Sequence, residues 1–575
     1  MNNKLLYFFN NKQKKTLTLI FVFMLVGTIV EMLGLGFIFS IVGALSPETA
    51  KNNLLINKLS VFLELGTTEV FLYLLVAFLL FYIIKTIFLT YYNWYETNFL
   101  YMYKEYLSSQ LFKDYLDQDF SYFSNRNSAE FIRNLIAEAT HFMGYLYSVI
   151  KILLETIILA GILFFLAYIN LNFTIVILVI FLSFSSLYFF LLKERLNIWG
   201  KQRQTNMKKL IQFMREGFDG IKIIKLLGRE NFFFSKFKKH NENLSSIAAK
   251  TIFFQGMPKL LFELIGIFLI TLSLLIFNYY EKTTIEIAQM LSVYIAASFR
   301  ILPSINKIVQ SLQMMKLNYP SMDTLYNEMK SFKKKPTFIH EDFLFKQNIL
   351  VDIKKFIHPN SKNFEILDIK LNISKGQKIG IIGPSGSGKS TIIEIITGIL
   401  KPRKGSIQVD GKPIESNIRG WQKLIGFVPQ KIFILDESLR NNILFGLDKE
   451  KYTDQKIIKI LKKLSLEKLL NRLPNGLDQN LGEDGLNISG GEIQRIGLCR
   501  ALIYDPEILF LDEATSSLDV DTESQILDEL KIFEEKTIIS IAHRINTLKN
   551  CEKIYSFDNG KIVDEGSFDK FKIKN

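Results

Sequence analysis

The clearest chemical pattern in the sequence is a glycine-rich loop that ends in a lysine and two hydroxyl residues. It reads Gly383-Pro384-Ser385-Gly386-Ser387-Gly388-Lys389-Ser390-Thr391 and fits G-x-x-x-x-G-K-[ST]. The apolar residues 378–382 before it predict a buried strand, and residues 391–396 after it predict the start of a helix. Such a loop points its backbone N–H groups at phosphate oxygens, at the positive end of the helix dipole. The alternative is an ordinary Gly/Ser-rich turn, and the strand–loop–helix context favours a phosphate-binding loop.

Side chains in the loop and downstream of it have the chemistry that a nucleotide triphosphate site needs. Lys389 can reach the β- and γ-phosphates, and the Ser390 hydroxyl can bind Mg²⁺. Gln430 ends a probable strand and places an amide where it can sense Mg²⁺ and water. A second apolar strand ends in Asp512, which suits Mg²⁺, and Glu513, which suits a water molecule.

Two further motifs complete the series. Ser489-Gly490-Gly491-Glu492 opens a predicted helix, and its small residues and free N–H groups form a second candidate anion site. The apolar strand 537–542 is followed by His543, one of only five histidines. Each short motif is weak alone, but their order and spacing together favour a nucleotide-hydrolysing domain.

With these motifs in this order, residues 348–575 resemble an ATP-binding-cassette ATPase domain. The resemblance implies that Glu513 is the catalytic base and that Gln430 and His543 assist it. It also implies that Ser390, Gln430 and Asp512 bind Mg²⁺. The implied ATP-binding residues are Gly383, Pro384, Ser385, Gly386, Ser387, Gly388, Lys389, Ser390, Thr391, His358, Ser489, Gly490, Gly491 and Glu492.

The cassette departs from the family pattern in two places. The usual Leu-Ser-Gly-Gly-Gln signature is Ile488-Ser489-Gly490-Gly491-Glu492 here, so a carboxylate replaces an amide near the nucleotide. The aromatic residue that stacks on adenine in this family falls at His358, and Phe356 is the alternative. A neutral imidazole can still stack on a base.

The composition of the rest of the chain indicates a membrane protein. Of 575 residues, 49% are hydrophobic, the mean hydropathy is +0.18 and the net charge is +14. Cys499 and Cys551 give no disulfide framework and no metal-ligand spacing. Six apolar stretches are long enough to cross a bilayer, which takes about 20 residues. They are 17–44, 70–92, 147–169, 173–192, 260–280 and 287–309.

Charge alternates between the loops that join these stretches. The N-terminal segment and loops 93–144 and 193–258 are rich in Lys and Arg, whereas the other loops carry few. The positive-inside rule therefore places both termini in the cytoplasm, and it accounts for much of the basic excess without nucleic acid. We expect the two long cytoplasmic loops to extend the spanning helices beyond the membrane. Loop 46–69 fits either an amphipathic helix at the outer interface or an ordinary packed loop helix.

Several ionisable residues lie in or near the spans, where burying a charge is costly. Lys151 with Glu155, and Lys259 with Glu263, are four residues apart and can form helix-local ion pairs. Three other cations, Lys85, Arg300 and Lys307, have no acidic residue three or four positions away. They suggest a cavity for an anionic ligand, and the alternative is that their side chains reach out to the membrane interface.

The whole chain resembles a bacterial ABC exporter half-transporter. The expected fold is a membrane α-helical domain of six transmembrane helices, of the type IV exporter class, plus an α/β P-loop ATP-binding cassette. The expected boundaries are 1–330 for the transmembrane domain, 331–347 for a linker and 348–575 for the nucleotide-binding domain. The resemblance implies ATP and Mg²⁺ as cofactors, and a homodimer, because the signature of one copy completes the ATP site of the other.

The membrane half is similar to the lipid-linked oligosaccharide flippases (PglK-like). The matching segments are 81–85, 258–263 and 300–307, with the segment around Glu31. The similarity implies that a polyprenyl-pyrophosphate-linked glycan is flipped across the bacterial inner membrane, with no nucleic-acid partner. The implied substrate residues are Lys85, Lys259, Arg300 and Lys307.

Other functions are compatible with parts of this pattern. An exporter of lipid A shares the phosphate chemistry, whereas an exporter of hydrophobic drugs would prefer an apolar or acidic cavity. A cassette ATPase of DNA repair or translation is excluded by the six spans. An ATP-gated channel is disfavoured by Glu513, which predicts continued turnover.

Overall fold

The computed structural model divides into two compact units. It describes residues 3–43, 67–169, 171–279, 284–333, 343–358, 364–482, 485, 488–514, 525, 535–542 and 544–572. The first unit comprises residues 1–118 and 127–333, and the second comprises residues 119–126 and 334–575.

The first unit consists of helices joined by short turns in its described part. Six helices there have 31 to 50 residues, and each contains all or nearly all of one predicted span. The helices of this region are α1 Asn3–Leu6, α2 Asn11–Gly43, α3 Thr67–Leu116, α4 Phe120–Ser124, α5 Ser128–Arg133, α6 Ala139–Ile169, α7 Leu171–Asp219, α8 Ile221–Leu227, α9 Glu230–Tyr279 and α10 Thr284–Ser331, with a π-helical turn at Asn134–Glu138. Of these, α4 is grouped with the second unit.

The length of the helices confirms that they extend beyond a bilayer. Helices α3 and α9 have 50 residues each, which at about 1.5 Å per residue is about 75 Å, against a hydrocarbon core of about 30 Å. Within the described residues, five helices are long and apolar enough to span a membrane. The sixth predicted span lies in α10. Residues 46–66 of the predicted outer loop lie outside the described residues.

Two of the long helices approach each other closely at a glycine. Gly200 of α7 faces α10, and a Cβ atom there would lie 2.3 Å from the Leu317 carbonyl oxygen. A larger residue at this position would push the two helices apart. Helix α6 contributes fully buried side chains such as Phe142 and Ile162 to the interior of the unit.

The second unit contains two β-sheets. The strands are β1 Asn348–Ile357, β2 Glu365–Ser374, β3 Lys378–Ile382, β4 Lys404–Val409, β5 Lys412–Pro413, β6 Ile425–Val428, β7 Ile508–Asp512, β8 Thr537–Ile541, β9 Lys553–Asp558 and β10 Lys561–Gly566. In the part of the chain that the structure describes, a four-stranded antiparallel sheet has the order β2-β1-β4-β5. A six-stranded sheet has the order β10-β9-β3-β8-β7-β6, parallel except for the β9–β10 pair.

Helices pack against these sheets and share buried residues with them. They are α11 Lys389–Ile396, α12 Ile418–Lys423, α13 Leu439–Leu444, α14 Asp454–Lys463, α15 Glu467–Arg472, α16 Gly490–Leu502 and α17 Phe568–Lys572, with short 3₁₀ turns at Ile414–Ser416, Lys449–Lys451, Gly476–Asp478 and Ile545–Leu548. Within the predicted linker 331–347, residues 334–342 are not described, and Phe343 and Phe345 are buried in the core of this unit.

The sheet order explains how distant motifs meet. Strands β3, β8, β7 and β6 are neighbours and run parallel, so their carboxyl ends lie along one edge of the sheet. The phosphate loop follows β3, Glu513 follows β7 and Gln430 follows β6. Ligands bind at this kind of edge in α/β proteins.

Candidate functional site

The phosphate loop has a backbone that only glycine tolerates at two of its positions. Gly383 has φ +149°, and a Cβ there would lie 2.1 Å from the Phe557 carbonyl oxygen. Gly388 has φ +102° and is the N-cap of α11, and a Cβ there would lie 2.8 Å from the Phe364 ring. The two glycines therefore allow the loop to wrap around the start of the helix, where its N–H groups can meet an anion.

The Lys389 side chain is held inside this loop. Its ammonium group donates to the carbonyl oxygens of Gly383 at 2.9 Å and Pro384 at 3.0 Å. Burial lowers the pKa of Lys389, while the carboxylates of Glu513 and Asp512 act in the opposite direction. The lysine that the sequence predicts to bind phosphate is therefore a buried cation inside the loop.

Ser390 and Asp512 come together at the edge of the sheet. The Ser390 hydroxyl donates to Asp512 Oδ1 at 2.9 Å, although 122 residues separate them. Burial raises the pKa of Asp512, and the hydrogen bond from Ser390 opposes that increase. A hydroxyl and a carboxylate oxygen are ligands that Mg²⁺ accepts, and this ion usually completes its octahedral shell with waters and substrate phosphates.

Glu513 and Gln430 are in contact just beyond the ends of the neighbouring strands β7 and β6. The Gln430 amide Nε2 donates to Glu513 Oε2 at 2.5 Å. Glu513 is buried and has φ +49°, in the left-handed region that residues other than glycine seldom adopt. Backbone strain of this kind concentrates at functional sites. The carboxylate is therefore fixed at the strand end, beside the amide that the sequence predicted for the same site.

The signature segment begins helix α16 with a capping box. The Ser489 hydroxyl accepts from the Glu492 N–H at 3.3 Å, and Glu492 Oε2 accepts from the Ser489 N–H at 2.7 Å. The Ser489 hydroxyl also donates to Glu492 Oε2 at 3.0 Å. A Cβ at Gly490 would meet no atom within 4 Å, so there is open space beside this residue. Glu492 also contacts Arg472, which the sequence reasoning did not single out.

Phe356 and His358, the two candidates for stacking on adenine, differ in how far they are buried. Phe356 is 3% exposed and belongs to the core, so it has no free face for a base, and the alternative assignment was wrong. The alternation of buried and exposed residues in β1 shifts by one residue after Ile353, where the pairing register of β1 with β4 also shifts. His358 is half-buried and lies edge-on to Phe356. His543 lies outside the described residues.

Two of the membrane cations have partners on other helices. Lys85 of α3 contacts Glu31 of α2 at 2.8 Å, and Lys307 of α10 contacts Glu155 of α6 at 2.8 Å. Ser304 also donates to Glu155, at 2.7 Å. The interpretation of Lys85 and Lys307 as unpaired cations was therefore wrong. Sequence spacing shows only partners on the same helix, whereas these pairs form between helices.

Of the two ion pairs predicted within single helices, one forms and the other does not. Lys151 contacts Glu96 of α3 at 2.8 Å instead of Glu155, so this pairing was wrong. Lys259 and Glu263 form the expected pair at 4.0 Å, with both side chains more than half exposed. Arg300 lies in α10, and its side chain is outside the described residues.

The fold and the site together define an ATP-binding-cassette ATPase domain joined to a helical membrane domain. Residues 9–302 match the family of the ABC transporter transmembrane region, and residues 366–516 match the ABC transporter family. The chain therefore belongs to the ABC transporters and has the type IV exporter fold.

Similar proteins agree with this assignment. The ABC transporter B family member 17 of Arabidopsis thaliana is 37% identical over 215 residues, which are 37% of this chain and 17% of that protein. An ATP-dependent lipid A-core flippase of Aliivibrio fischeri is 27% identical over 371 residues, 64% of this chain and 63% of that protein. The matches thus span less than two thirds of both relatives.

The structure of a bacterial Atm1-family ABC exporter with ATP bound has the same fold. Its TM-score is 0.79 at 19% sequence identity, and the match covers 98% of this chain and 97% of that chain. At this identity the similarity concerns the fold alone.

Proposed function

We propose that this chain forms a homodimeric exporter that uses ATP hydrolysis to move a lipid with an anionic headgroup across the bacterial inner membrane. The observation that carries the proposal is the convergence of Lys389, Ser390 with Asp512, and Gln430 with Glu513 at one sheet edge. The same chain carries helices that are long and apolar enough to cross a membrane.

Each residue of the cassette has a distinct task in this proposal. Bound ATP supplies the phosphoryl group whose transfer to water releases free energy, and Mg²⁺ offsets the phosphate charge. Lys389 and the loop N–H groups hold the phosphates, while Ser390 and Asp512 hold the metal ion. Glu513 orients and polarises the attacking water, and Gln430 fixes the carboxylate of Glu513.

The ATP site requires a second copy of the chain in this proposal. One cassette has one phosphate loop and one signature, and we propose that Ser489–Glu492 of each copy meets the phosphate loop of the other. The open space in front of Gly490 is compatible with an anion bound at the first turn of α16. Two shared sites then hold the cassettes together until hydrolysis.

Mixed dimers test this arrangement. Lys389→Ala and Ser489→Ala are expected to abolish the ATPase activity of the respective homodimers. When both variants are expressed together, the mixed dimer has one intact shared site, and about a quarter of the wild-type activity should return if the sites act independently. Absence of any recovery, or full activity of either variant alone, would contradict shared sites.

We propose a polyprenyl-pyrophosphate-linked oligosaccharide as the cargo, with Lys85, Lys259, Arg300 and Lys307 as headgroup residues. Support comes from the resemblance of the membrane half and from Lys307, whose side chain is 49% exposed although it contacts the buried Glu155. Because Lys85, Lys259 and Lys307 contact carboxylates, the pyrophosphate would compete with these carboxylates for the ammonium groups. A doubly charged group is a stronger competitor than a single carboxylate.

Lipid A is the second candidate cargo. One of the relatives named above is a lipid A-core flippase, and lipid A also carries phosphate groups. Hydrophobic drugs are less compatible, because basic side chains would repel the cationic ones. The charge distribution of the loops supports cytoplasmic termini.

Stimulation of the ATPase by added lipid distinguishes these cargoes. In nanodiscs of phosphatidylcholine, we expect a polyprenyl-pyrophosphate glycan to raise the ATPase rate more than lipid A or a cationic drug does. Lys259→Gln, at a pair whose two side chains are more than half exposed, should weaken this stimulation more than it lowers the basal rate. A stronger response to lipid A would favour the second candidate, and a response to the drug alone would contradict an anionic cargo.

A further inference from the structure

The carboxylate in the signature is held by an arginine from a different helix. Arg472, the last residue of α15, donates from NH2 to Oε1 and Oε2 of Glu492, at 3.1 Å in both cases. The Glu492 side chain is 16% exposed and the Arg472 side chain 57% exposed. The carboxylate is thus mostly covered, whereas more than half of the arginine side chain is exposed.

Glu492 creates an electrostatic problem that a glutamine would not. It adds a negative charge to the first turn of α16, where the free N–H groups otherwise favour an anion. It also accepts a hydrogen bond from the Ser489 hydroxyl, at 3.0 Å. This hydrogen bond must break before the Ser489 hydroxyl can donate to a phosphate oxygen. A stronger pull from the carboxylate would therefore weaken binding of a phosphate at Ser489.

The contacts of Glu492 show how this negative charge is balanced. Burial alone would raise the pKa of the carboxyl, but the Ser489 donors and the Arg472 guanidinium lower it below its usual value. Glu492 is consequently ionised at neutral pH, and the arginine supplies the opposite charge. The two hydrogen bonds from Arg472 also hold the Glu492 carboxylate close to the end of α15.

We infer that Arg472 is a positioning residue of the signature. It neutralises and orients the Glu492 carboxylate, so that the Ser489 hydroxyl and the N–H groups of the first turn of α16 can bind a nucleotide phosphate. This inference rests on the proposed function, in which the signature binds nucleotide. Arg472 and Glu492 then act as one unit that replaces the neutral amide of the usual signature.

A double-mutant cycle tests the inference in the full-length protein in nanodiscs. Arg472→Ala should raise the KM for ATP about tenfold, which equals about 1.4 kcal/mol. This free energy is close to the lower limit for a hydrogen bond to a charged group, because the pair is partly exposed. In the Glu492→Gln background, the same substitution should change KM less than twofold. The value of kcat should change less than KM in every variant.

Two further variants separate this role from a structural one. Arg472→Lys keeps the charge and should restore most of the loss. Lys462→Ala removes another exposed ion pair of the same unit, at 3.0 Å from Glu467, and should leave KM unchanged. An equal effect of Arg472→Ala in both backgrounds, or no effect in either, would overturn the inference. An inactive wild type would instead overturn the proposed function, and the inference with it.

Discussion

The contact between Glu96 and Lys151 allows a quantitative prediction about the membrane unit. It joins α3 to α6 at 2.8 Å, and the side chains are 1% and 14% exposed, respectively. Glu96→Gln removes the negative charge and keeps the shape of the side chain. The Lys151 ammonium then stays buried without its carboxylate, although it lies near the rings of Tyr92 and Tyr147.

The expected loss of stability follows from the burial of both partners. Removing one member of a buried ion pair costs about 3–5 kcal/mol, because the remaining charge has no compensation. Contacts between the ammonium and the two aromatic rings persist in the variant and are worth about 0.5–2 kcal/mol. We therefore expect a loss of about 3 kcal/mol for Glu96→Gln. The double variant Glu96→Gln/Lys151→Met should recover most of it, because no unpaired charge is left.

The apparent free energy of unfolding in mixed detergent micelles is the measurement. Asp219→Asn is the matched control, because Arg215 and Asp219 form an i,i+4 pair with both side chains more than half exposed. We expect that control to lose less than about 0.5 kcal/mol. A loss below about 1 kcal/mol for Glu96→Gln, or a double variant less stable than the single one, would refute the reasoning.

Three further predictions concern the cassette. Gly383→Ala should abolish binding of a fluorescent ATP analogue, because its Cβ would lie 2.1 Å from the Phe557 carbonyl oxygen, and near-normal affinity would contradict this geometry. Ser390→Ala should raise the Mg²⁺ concentration for half-maximal ATPase activity about tenfold, and an unchanged requirement would exclude this hydroxyl as a ligand. Burial raises the pKa of Cys551 to about 12, and Cys499 is fully buried. The thiol of Cys551 should therefore react with maleimide at pH 8 at least about a hundredfold more slowly in the native than in the denatured protein, and burial should protect Cys499 as well, whereas rapid native labelling would show that a thiol is accessible.

The cassette was largely predictable from the sequence because its chemistry is local or fixed by the sheet. Lys389 and Ser390 belong to a contiguous motif. Asp512 ends an apolar strand and Glu513 follows it, and parallel strands bring their carboxyl ends to one edge. Phe356 was the exception, because the alternation of buried and exposed residues in β1 shifts after Ile353, and no residue pattern revealed this shift.

The charge pairs were less predictable because they depend on contacts between helices. Lys151 has a glutamate four residues away, yet its partner is Glu96, 55 positions earlier. Lys307 binds Glu155 at a distance of 152 positions. Spacing along one helix predicts neighbours on that helix only. The length and apolar character of the helices, in contrast, follow from composition and were predicted well.

ATP-dependent flipping in proteoliposomes tests the central claim most directly. A fluorescent polyprenyl-pyrophosphate glycan is placed in the bilayer with the wild-type chain or with Glu513→Gln, and chemical quenching reports the outer leaflet. We predict that ATP changes the quenched fraction with the wild type, whereas Glu513→Gln binds ATP and leaves that fraction unchanged. Equal redistribution with and without ATP, or with both proteins, would contradict an ATP-driven flippase.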